Sequence, residues 1–385
     1  MSTHVFTSLR IYRLVRLLLL KRISFLKKLD AVVGPLCARL LATRSVGKQV
    51  DLASVRRVLF IRPGGIGDAV LLVPAINAFC AQYPLATVEI LAEKRNAGVF
   101  ELCPQVARVF CYDCWREWPR LFSRNYDLII DTEQWYYLSA VIARLVRAPI
   151  RCGFATNSRQ QLFTHTVAYS HRSYEVDSFI SLLNNVSGEE LIPPAAPYLH
   201  WHANVASSCA VLMRPIAGQA YAVLFAGASI PERRWSCVSF KKLAQLFNRQ
   251  GVCVVVVGGR EDAAIGAHIV ADIDLLHGIN LAGKTTLAET AAILAGAKLL
   301  VSGDSGVLHL AAGVGCPTVS LFGPGIEEKW APRGDEHHVV NLGLPCSPCT
   351  RFGTTPKCYK HGQCIQDISV EMVWDQVKPL LVEDV

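Results

Sequence analysis

Val55-Arg56-Arg57-Val58-Leu59-Phe60-Ile61-Arg62-Pro63-Gly64-Gly65-Ile66-Gly67-Asp68 is the stretch whose reading decides the fold. Val55 to Ile61 is rich in Val, Leu, Ile and Phe and reads as a buried core strand. Pro63 to Asp68 forms a glycine-bearing turn, and Ala69 to Gln82 follows with a helical pattern. The glycines permit a tight turn and close approach of a ligand to the backbone. The turn opens a helix whose free N–H groups favour anions. No Gly-Lys-Ser/Thr follows, so it is not a Walker loop. Glu89 stands near the end of the next strand, about where a dinucleotide enzyme keeps its ribose-binding acid, but it is not a persuasive match. Asp68 has two readings: a helix cap, or a general base facing a cleft.

Working outward, Val88 to Ala92, Val106 to Phe110 and Asp127 to Asp131 read as further strands. The stretch Gly188 to Ala196, with two acids, Pro193 and Pro194, reads as a linker. Beyond Ala220 the rhythm restarts. Tyr221 to Phe225, the Val-rich run Val252 to Val257, Lys298 to Val301 and Thr318 to Phe322 read as strands. Trp235 to Gln250, Leu287 to Ala295 and Leu308 to Val314 read as helices. A closing helix at Val370 to Leu381 is expected to pack back across both domains. Alternating strand and helix is the signature of a parallel α/β layer. We expect an extension at 1–50, one α/β domain at 51–190, a linker region at 191–219 and a second α/β domain at 220–385. Two such domains turn their strand ends toward a shared cleft.

The chain has 385 residues, 51% hydrophobic and 18% charged, which excludes a disordered chain. Its formal charge of +8 sits at one end: residues 1–50 carry ten Lys/Arg against Asp30 alone, and the remainder sums to −1. That distribution argues weakly for nucleic acid and better for an anionic surface near the N-terminus; with the basic residues outside the α/β domains, no nucleic-acid partner is expected. Leu14 to Leu20 is interrupted by Arg16 and closed by Lys21 and Arg22, too short for a spanning helix of roughly 20 apolar residues. No signal-peptide cleavage pattern follows it. As a helix, Arg10, Arg13, Arg16, Lys21, Lys27 and Lys28 gather on one side, opposite Ile11, Val15, Leu18, Leu19, Ile23, Leu26 and Leu29. Such a helix lies in an anionic membrane surface or docks on the protein's own body. Most of the 14 cysteines sit singly in apolar surroundings and read as buried thiols.

Gly227-Ala228-Ser229-Ile230-Pro231-Glu232-Arg233-Arg234-Trp235 also follows a strand and precedes a helix. Arg233 and Arg234 there are placed either to stabilise a departing diphosphate or as a solvated charge pair. Ser302-Gly303-Asp304-Ser305-Gly306 opens the helix carrying His309. Asp304 and Ser305 can cap that helix, and its N–H groups can hold phosphate. A histidine inside a helix is more often an internal hydrogen-bond partner than a catalyst. Leu321-Phe322-Gly323-Pro324-Gly325 is a third turn on the same rim, with Glu327 and Glu328 placed just past it for sugar or ribose hydroxyls.

Together these segments resemble the ADP-heptose:lipopolysaccharide heptosyltransferase family, from about Val55 to the C-terminus. Val301 to Ala312 continuing into Pro317 to Pro324 carries most of the resemblance, with Arg62 to Pro74 as the N-terminal match. The resemblance implies a GT-B arrangement, two Rossmann-like domains facing a central cleft. It implies inverting transfer of a heptose from ADP-heptose to a lipopolysaccharide core or other glycan acceptor, with no divalent metal required. The donor would be held by the C-terminal domain and the acceptor mainly by the N-terminal one. Asp68 falls on the family's proposed base. Arg233 falls near a phosphate-contacting residue that is usually lysine. Asp304, Ser305, Gly306 and His309 fall in the donor loop. With Gly65, Gly67, Arg234 and Gly323 on the adjoining turns, these form the expected donor-binding set. The expected setting is cytoplasmic, peripheral on the inner face of the inner membrane.

Cys346-Ser347-Pro348-Cys349, Cys358 and Cys364 place four thiols in a Gly- and Pro-containing loop. That spacing suits a structural zinc or iron, disulfides, or unligated thiols. Protein-directed members of the resembled family hold iron with four cysteines, but the spacing here is tighter. Trp115, Trp118, Trp135, Tyr136 and Tyr137 supply material for a sugar-stacking platform or for core packing. Rival readings are a glycosyltransferase with another nucleotide sugar or a protein acceptor, and a noncatalytic nucleotide-binding or assembly protein.

Overall fold

The computed structural model describes residues 30–43 and 50–381. Its strands are β1 (Arg57–Arg62), β2 (Thr87–Ala92), β3 (Val106–Cys111), β4 (Leu128–Asp131), β5 (Ile150–Phe154) and β6 (His165–Val167), then β7 (Tyr221–Phe225), β8 (Cys253–Val256), β9 (Gly278–Asn280), β10 (Leu300–Gly303), β11 (Thr318–Phe322) and β12 (His337–Asn341). They form two six-stranded sheets, ordered β3-β2-β1-β4-β5-β6 and β12-β11-β10-β7-β8-β9. All pairings within them are parallel, so each crossover must traverse a face of the sheet. Counted from its own first strand, each sheet is wound 3-2-1-4-5-6, the doubly wound Rossmann order.

Coverage on both faces explains the unbroken apolar runs. In β1, Val58 and Phe60 face one core with Val70 and Phe79, while Leu59 and Ile61 face another with Ala140 and Ala143. The Ile66–Gln82 helix covers the first face, Phe79 meeting Phe60 edge-on at 6.1 Å. The Tyr137–Leu145 helix covers the second. The first core continues into the second lobe through Val223, Leu300 and Leu310, so the lobes share buried apolar surface.

The Val370–Leu381 helix departs from expectation. Val373 and Val377 lie in the outer core of the second lobe, and Trp374 meets Phe247 at 5.3 Å. It packs on one lobe, because its apolar stripe matches the Cys237–Arg249 helix and not the cleft side. Ala203–Leu212, within the stretch read as linker, is helical and meets the Leu287–Ala295 helix, where Cys209 Sγ lies 3.5 Å from Glu289 O.

The amphipathic run at residues 10–29 lies outside the described residues. Residues 30–40 are helical. The Asp30 carboxylate accepts from the N–H groups of Tyr137 (3.0 Å) and Leu138 (2.7 Å), capping the Tyr137–Leu145 helix. Val32, Leu36 and Leu40 point outward, with Leu138 and Leu145 also exposed. Among the described residues no helix is long and apolar enough to cross a membrane.

The loop after β4 is anchored by an ion pair out of water's reach. Arg159 and Asp131 are both 0% exposed and meet at 2.6 Å. Arg159 also donates to the carbonyls of Glu133 and Tyr136. Burial pushes the Asp131 carboxyl up to about 6, against the pull of Arg159. Removing one partner of such a pair strands the other charge. Arg159→Met is therefore expected to destabilise the first lobe by about 3–5 kcal/mol, read as a fall in thermal unfolding midpoint, whereas Arg147→Met at the surface should leave it nearly unchanged.

Candidate active site

In each sheet the crevice opens where the winding reverses, between β1 and β4 and between β7 and β10. The first crevice collects charge. Arg62 ends β1 and is 2% exposed. Its Nε donates to Pro63 O at 2.8 Å and its Nη1 to Thr132 O at 2.7 Å, tying the β1 and β4 loops together. Its Nη2 lies 3.7 Å from Glu133 and 3.9 Å from Asp68. Burial alone would lower the guanidinium's pKa, but Asp68, Glu133 and Glu175 together hold it above the ordinary value. Asp68 sits in the first turn of the Ile66–Gln82 helix and accepts from the Gly65 N–H at 3.3 Å. That is the capping role; a quarter of its side chain still faces solvent.

The second crevice is built on the β7 and β10 loops. Arg233 Nη1 lies 3.0 Å from Asp304 Oδ2. Ser305 caps the Gly306–Gly313 helix, accepting from Leu308 N–H at 3.2 Å, and bonds to Ser302 at 2.8 Å. His309 is 3% exposed. Burial pushes its pKa down, while Asp304 and Asp68 oppose the shift and Arg233 adds to it, so the ring is neutral at pH 7. Three buried polar atoms meet here without a hydrogen-bond partner: Arg233 Nε, Asp304 Oδ2 and His309 Nδ1. Although Asp304 is ion-paired with Arg233, the geometry leaves its Oδ2 without a hydrogen bond. Orphaned groups of this kind cost stability unless a ligand satisfies them.

The two crevices face each other across a glycine contact. A Cβ on Gly67 would lie 2.6 Å from His309 Cδ2, and a Cβ on Gly306 would lie 2.8 Å from Ile66 Cβ. The structure thus brings Asp68, Gly65 and Gly67 to the same cleft as Arg233, Asp304, Ser305, Gly306 and His309.

Other expected residues fall elsewhere. The Arg234 guanidinium turns back to Ala228 O at 2.9 Å and holds its own loop. Gly323 is packed under Ile365 and Cys364, and its carbonyl accepts from the Ser347 hydroxyl. Glu327 accepts from Asn341 at 2.9 Å, and Glu328 is exposed. Glu89 is spent on Arg124 (2.8 Å) and Tyr126 (2.7 Å). Of the aromatics, Trp118 donates to Tyr112 O and Tyr137 bonds to Ser158, whereas Trp135 is 42% exposed and stacks on Phe352 at 4.2 Å.

The metal expected at Cys346, Cys349, Cys358 and Cys364 does not fit the loop as folded. All four are free thiols, and among the described residues no group of three His, Cys, Asp or Glu is arranged to hold a metal ion. The loop is committed otherwise. Cys349 N–H donates to Pro324 O, Gly362 N–H donates to the Cys358 sulfur, and Cys364 packs against Gly323. Burial first, then the neighbouring thiols, push Cys349 and Cys364 above the ordinary thiol value.

Sequence reading passed over three residues of this site. Glu133 is buried beside Arg62. Glu175 is 0% exposed at the start of the Glu175–Ser187 helix, and Lys329, 1% exposed, pairs with it at 2.7 Å. The signal for Lys329 was a lone lysine after Glu327 and Glu328, where the acids drew attention first.

Two Rossmann-like lobes whose switch points face each other make a GT-B-type fold. The sequence model of glycosyltransferase family 9 (heptosyltransferase) matches residues 114–360. Lipooligosaccharide heptosyltransferase 2 of Haemophilus ducreyi is 25% identical over 84% of this chain and 99% of its own length. The solved Escherichia coli ADP-heptose lipopolysaccharide heptosyltransferase II superposes with a TM-score of 0.69, at 21% identity, over 84% of this chain and 98% of its own. TibC of enterotoxigenic Escherichia coli, an iron-containing dodecameric heptosyltransferase, superposes less closely, with a TM-score of 0.53 at 12% identity over 86% of this chain and 78% of its own. The chain belongs to glycosyltransferase family 9 and is an enzyme of the heptosyltransferase type.

The glycine contact yields a prediction. Alanine suits a helix better than glycine, yet Gly67→Ala drives a methyl into the His309 ring. Displacement of the lobes by about 1 Å is expected to lower kcat about 100-fold, with the unfolding midpoint of either lobe unchanged within about 3 °C. Steady-state kinetics and thermal melts on the same sample check it.

Proposed function

We propose that this enzyme transfers a heptose, with inversion, from ADP-heptose to a lipopolysaccharide core acceptor. The observation that carries the reading is the pair of unsatisfied buried nitrogens, Arg233 Nε and His309 Nδ1, beside the Asp304 carboxylate that is ion-paired with Arg233. A guanidinium N–H, a carboxylate oxygen and an imidazole nitrogen at a switch point match the phosphate and hydroxyl groups of a nucleotide sugar. The names of the relatives, heptosyltransferases of lipooligosaccharide and lipopolysaccharide, support the donor and the acceptor.

In this reading residues 51–190 hold the acceptor and 220–385 the donor, joined through 191–219. Asp68 takes the proton of the attacking hydroxyl. The new C–O bond forms on the face opposite the breaking one, and the diphosphate leaves with the bonding electron pair beside Arg233. The fixed guanidinium favours that developing charge. Asp304, Ser305, Gly306 and His309 bind the donor, with Gly65 and Gly67 giving close backbone approach. Arg234 and Gly323 serve by holding the loops that carry these groups. Positive charge at the leaving group comes from Arg233, so transfer needs no divalent metal.

The exposed Val32, Leu36 and Leu40, continuous in sequence with the basic run at 10–29, support a peripheral position on the cytoplasmic face of the inner membrane.

The test is ADP release by purified protein given ADP-heptose and a heptose-deficient lipopolysaccharide core. Release that depends on the acceptor, with a matching mass gain on it, is the expected result and should persist in a chelator. ADP-heptose binding without release would replace the acceptor, with protein hydroxyls tested next. Absence of both would replace the donor. Asp68→Ala is expected to reduce transfer at least 100-fold while calorimetry shows ADP binding within about twofold of wild type. Parallel loss of binding would make Asp68 a binding residue.

A further inference from the structure

Lys329 is carried by the short Glu327–Trp330 helix of the donor lobe, with the Trp330 ring 5.6 Å from its ammonium, yet the ion-pair and hydrogen-bond partners of that ammonium belong to the acceptor lobe. Its Nζ lies 2.7 Å from Glu175 Oε2 and donates to Ser170 O at 2.9 Å and Ser173 O at 3.1 Å. It also lies 4.3 Å from the centre of the Tyr169 ring. An ammonium has three N–H groups, and here three oxygens surround it. Its side chain is 2% exposed, so no water substitutes for them.

Glu175 is equally committed. Tyr169 donates to it at 3.2 Å, Gln134 from the β4 loop donates to its other oxygen, and the carboxylate is fully buried. Burial pushes its pKa up and Lys329 pulls it down, with Asp68 and Arg62 also acting on it. Arg62, whose Nη2 lies 3.9 Å from Asp68, also lies 5.7 Å from the Phe179 ring, so the helix that Glu175 begins packs against the guanidinium beside Asp68. On the donor side, the helix bearing Lys329 follows the turn whose Gly325 abuts the Asp304 carboxylate. One side chain links the loop that carries the donor acid to the cluster that carries the acceptor-side acid.

Two further contacts from the donor lobe grip the same short segment. Arg333 pairs with Asp177 at 3.0 Å and covers the Tyr174 ring at 4.2 Å. Phe352 meets His171 edge-on at 4.2 Å. The Arg333 pair is exposed and contributes little. The Lys329 site differs because opening the cleft would strand an ammonium in one lobe and a buried carboxylate in the other until water reached both.

We propose that Lys329 is a positioning residue that locks the donor lobe against the Asp68 cluster, so that transfer occurs only with Lys329 seated on Glu175. The proposal rests on Asp68 being the base only for its effect on rate; the seating itself is independent of that role. Lys329 touches neither substrate and acts by fixing the distance between the two halves of the site. A seated lock also shuts out water, which would otherwise consume the donor.

The experiment compares Lys329→Met and Glu175→Gln with wild type in the full chain, using ADP and ADP-heptose. Glu175→Gln is isosteric and guards against a folding failure in the first variant. Both are expected to lower kcat about 100-fold, leave the ADP dissociation constant within about twofold, and raise donor hydrolysis relative to transfer. Small-angle scattering with ADP bound should show both variants more extended than wild type. The exchange Lys329→Glu with Glu175→Lys should recover part of the lost kcat. Wild-type kcat in both variants, or loss of ADP binding in step with kcat, would overturn the proposal. If Asp68→Ala remains active while the scattering difference persists, the base assignment fails and the lock stands.

Discussion

Two helix N-termini, one from each lobe, meet at Gly67 and Gly306, where His309 packs on the bare backbone of one glycine and Ile66 on that of the other. Much of the rest of the site depends on that approach. It lets His309 lie against the acceptor-side helix, so that one imidazole is influenced by both Asp68 and Asp304. A wider spacing would admit water between the crevices, and in water a fixed charge at the leaving group has far less leverage. The glycines are therefore needed for distance more than for backbone freedom; neither has a left-handed φ.

Positive and negative groups are divided across this contact in a way that suits a displacement reaction. Arg62 donates to two backbone carbonyls and lies beside two carboxylates, so it organises the loops after β1 and β4 and is not free for a phosphate. Arg233 has a single carboxylate partner and an unused Nε. Two arginines at equivalent crevices thus do different work. The difference comes from what surrounds them: Arg62 ends a buried strand, while Arg233 sits on a short turn before the next helix.

The architecture was readable where one period dominates. β1, its glycine turn and the following helix declare themselves through a run of apolar residues and a switch of periodicity, as do β10 and the helix opened by Ser305. The strands that sequence reading passed over are β5, β6, β9 and β12. Each is short or outlying, and their sequences (Ile-Arg-Cys-Gly-Phe, His-Thr-Val, Gly-Ile-Asn, His-His-Val-Val-Asn) mix polar residues into positions that a central strand would keep apolar. Asp68, Arg233 and Asp304 were legible because a strand-end loop before a helix limits where a side chain can go. For Arg234 the sequence does not say which of two adjacent arginines turns back, and in the structure its guanidinium donates to Ala228 O. Lys329 was invisible because its meaning lies in Ser170, 159 positions away. For the four cysteines, close spacing suited a metal, disulfides or unligated thiols alike; they are free thiols, and the loop's hydrogen bonds run to the Gly323-Pro324 turn.

Asp30 closes the Tyr137–Leu145 helix at the end where the β4 loop, with Trp135 and Glu133, reaches the cleft. A carboxylate that looks like ordinary helix termination thus ties the helix at 30–40 to the loop that carries Glu133 into the first crevice, so any strain on that helix is passed to the buried charges around Arg62.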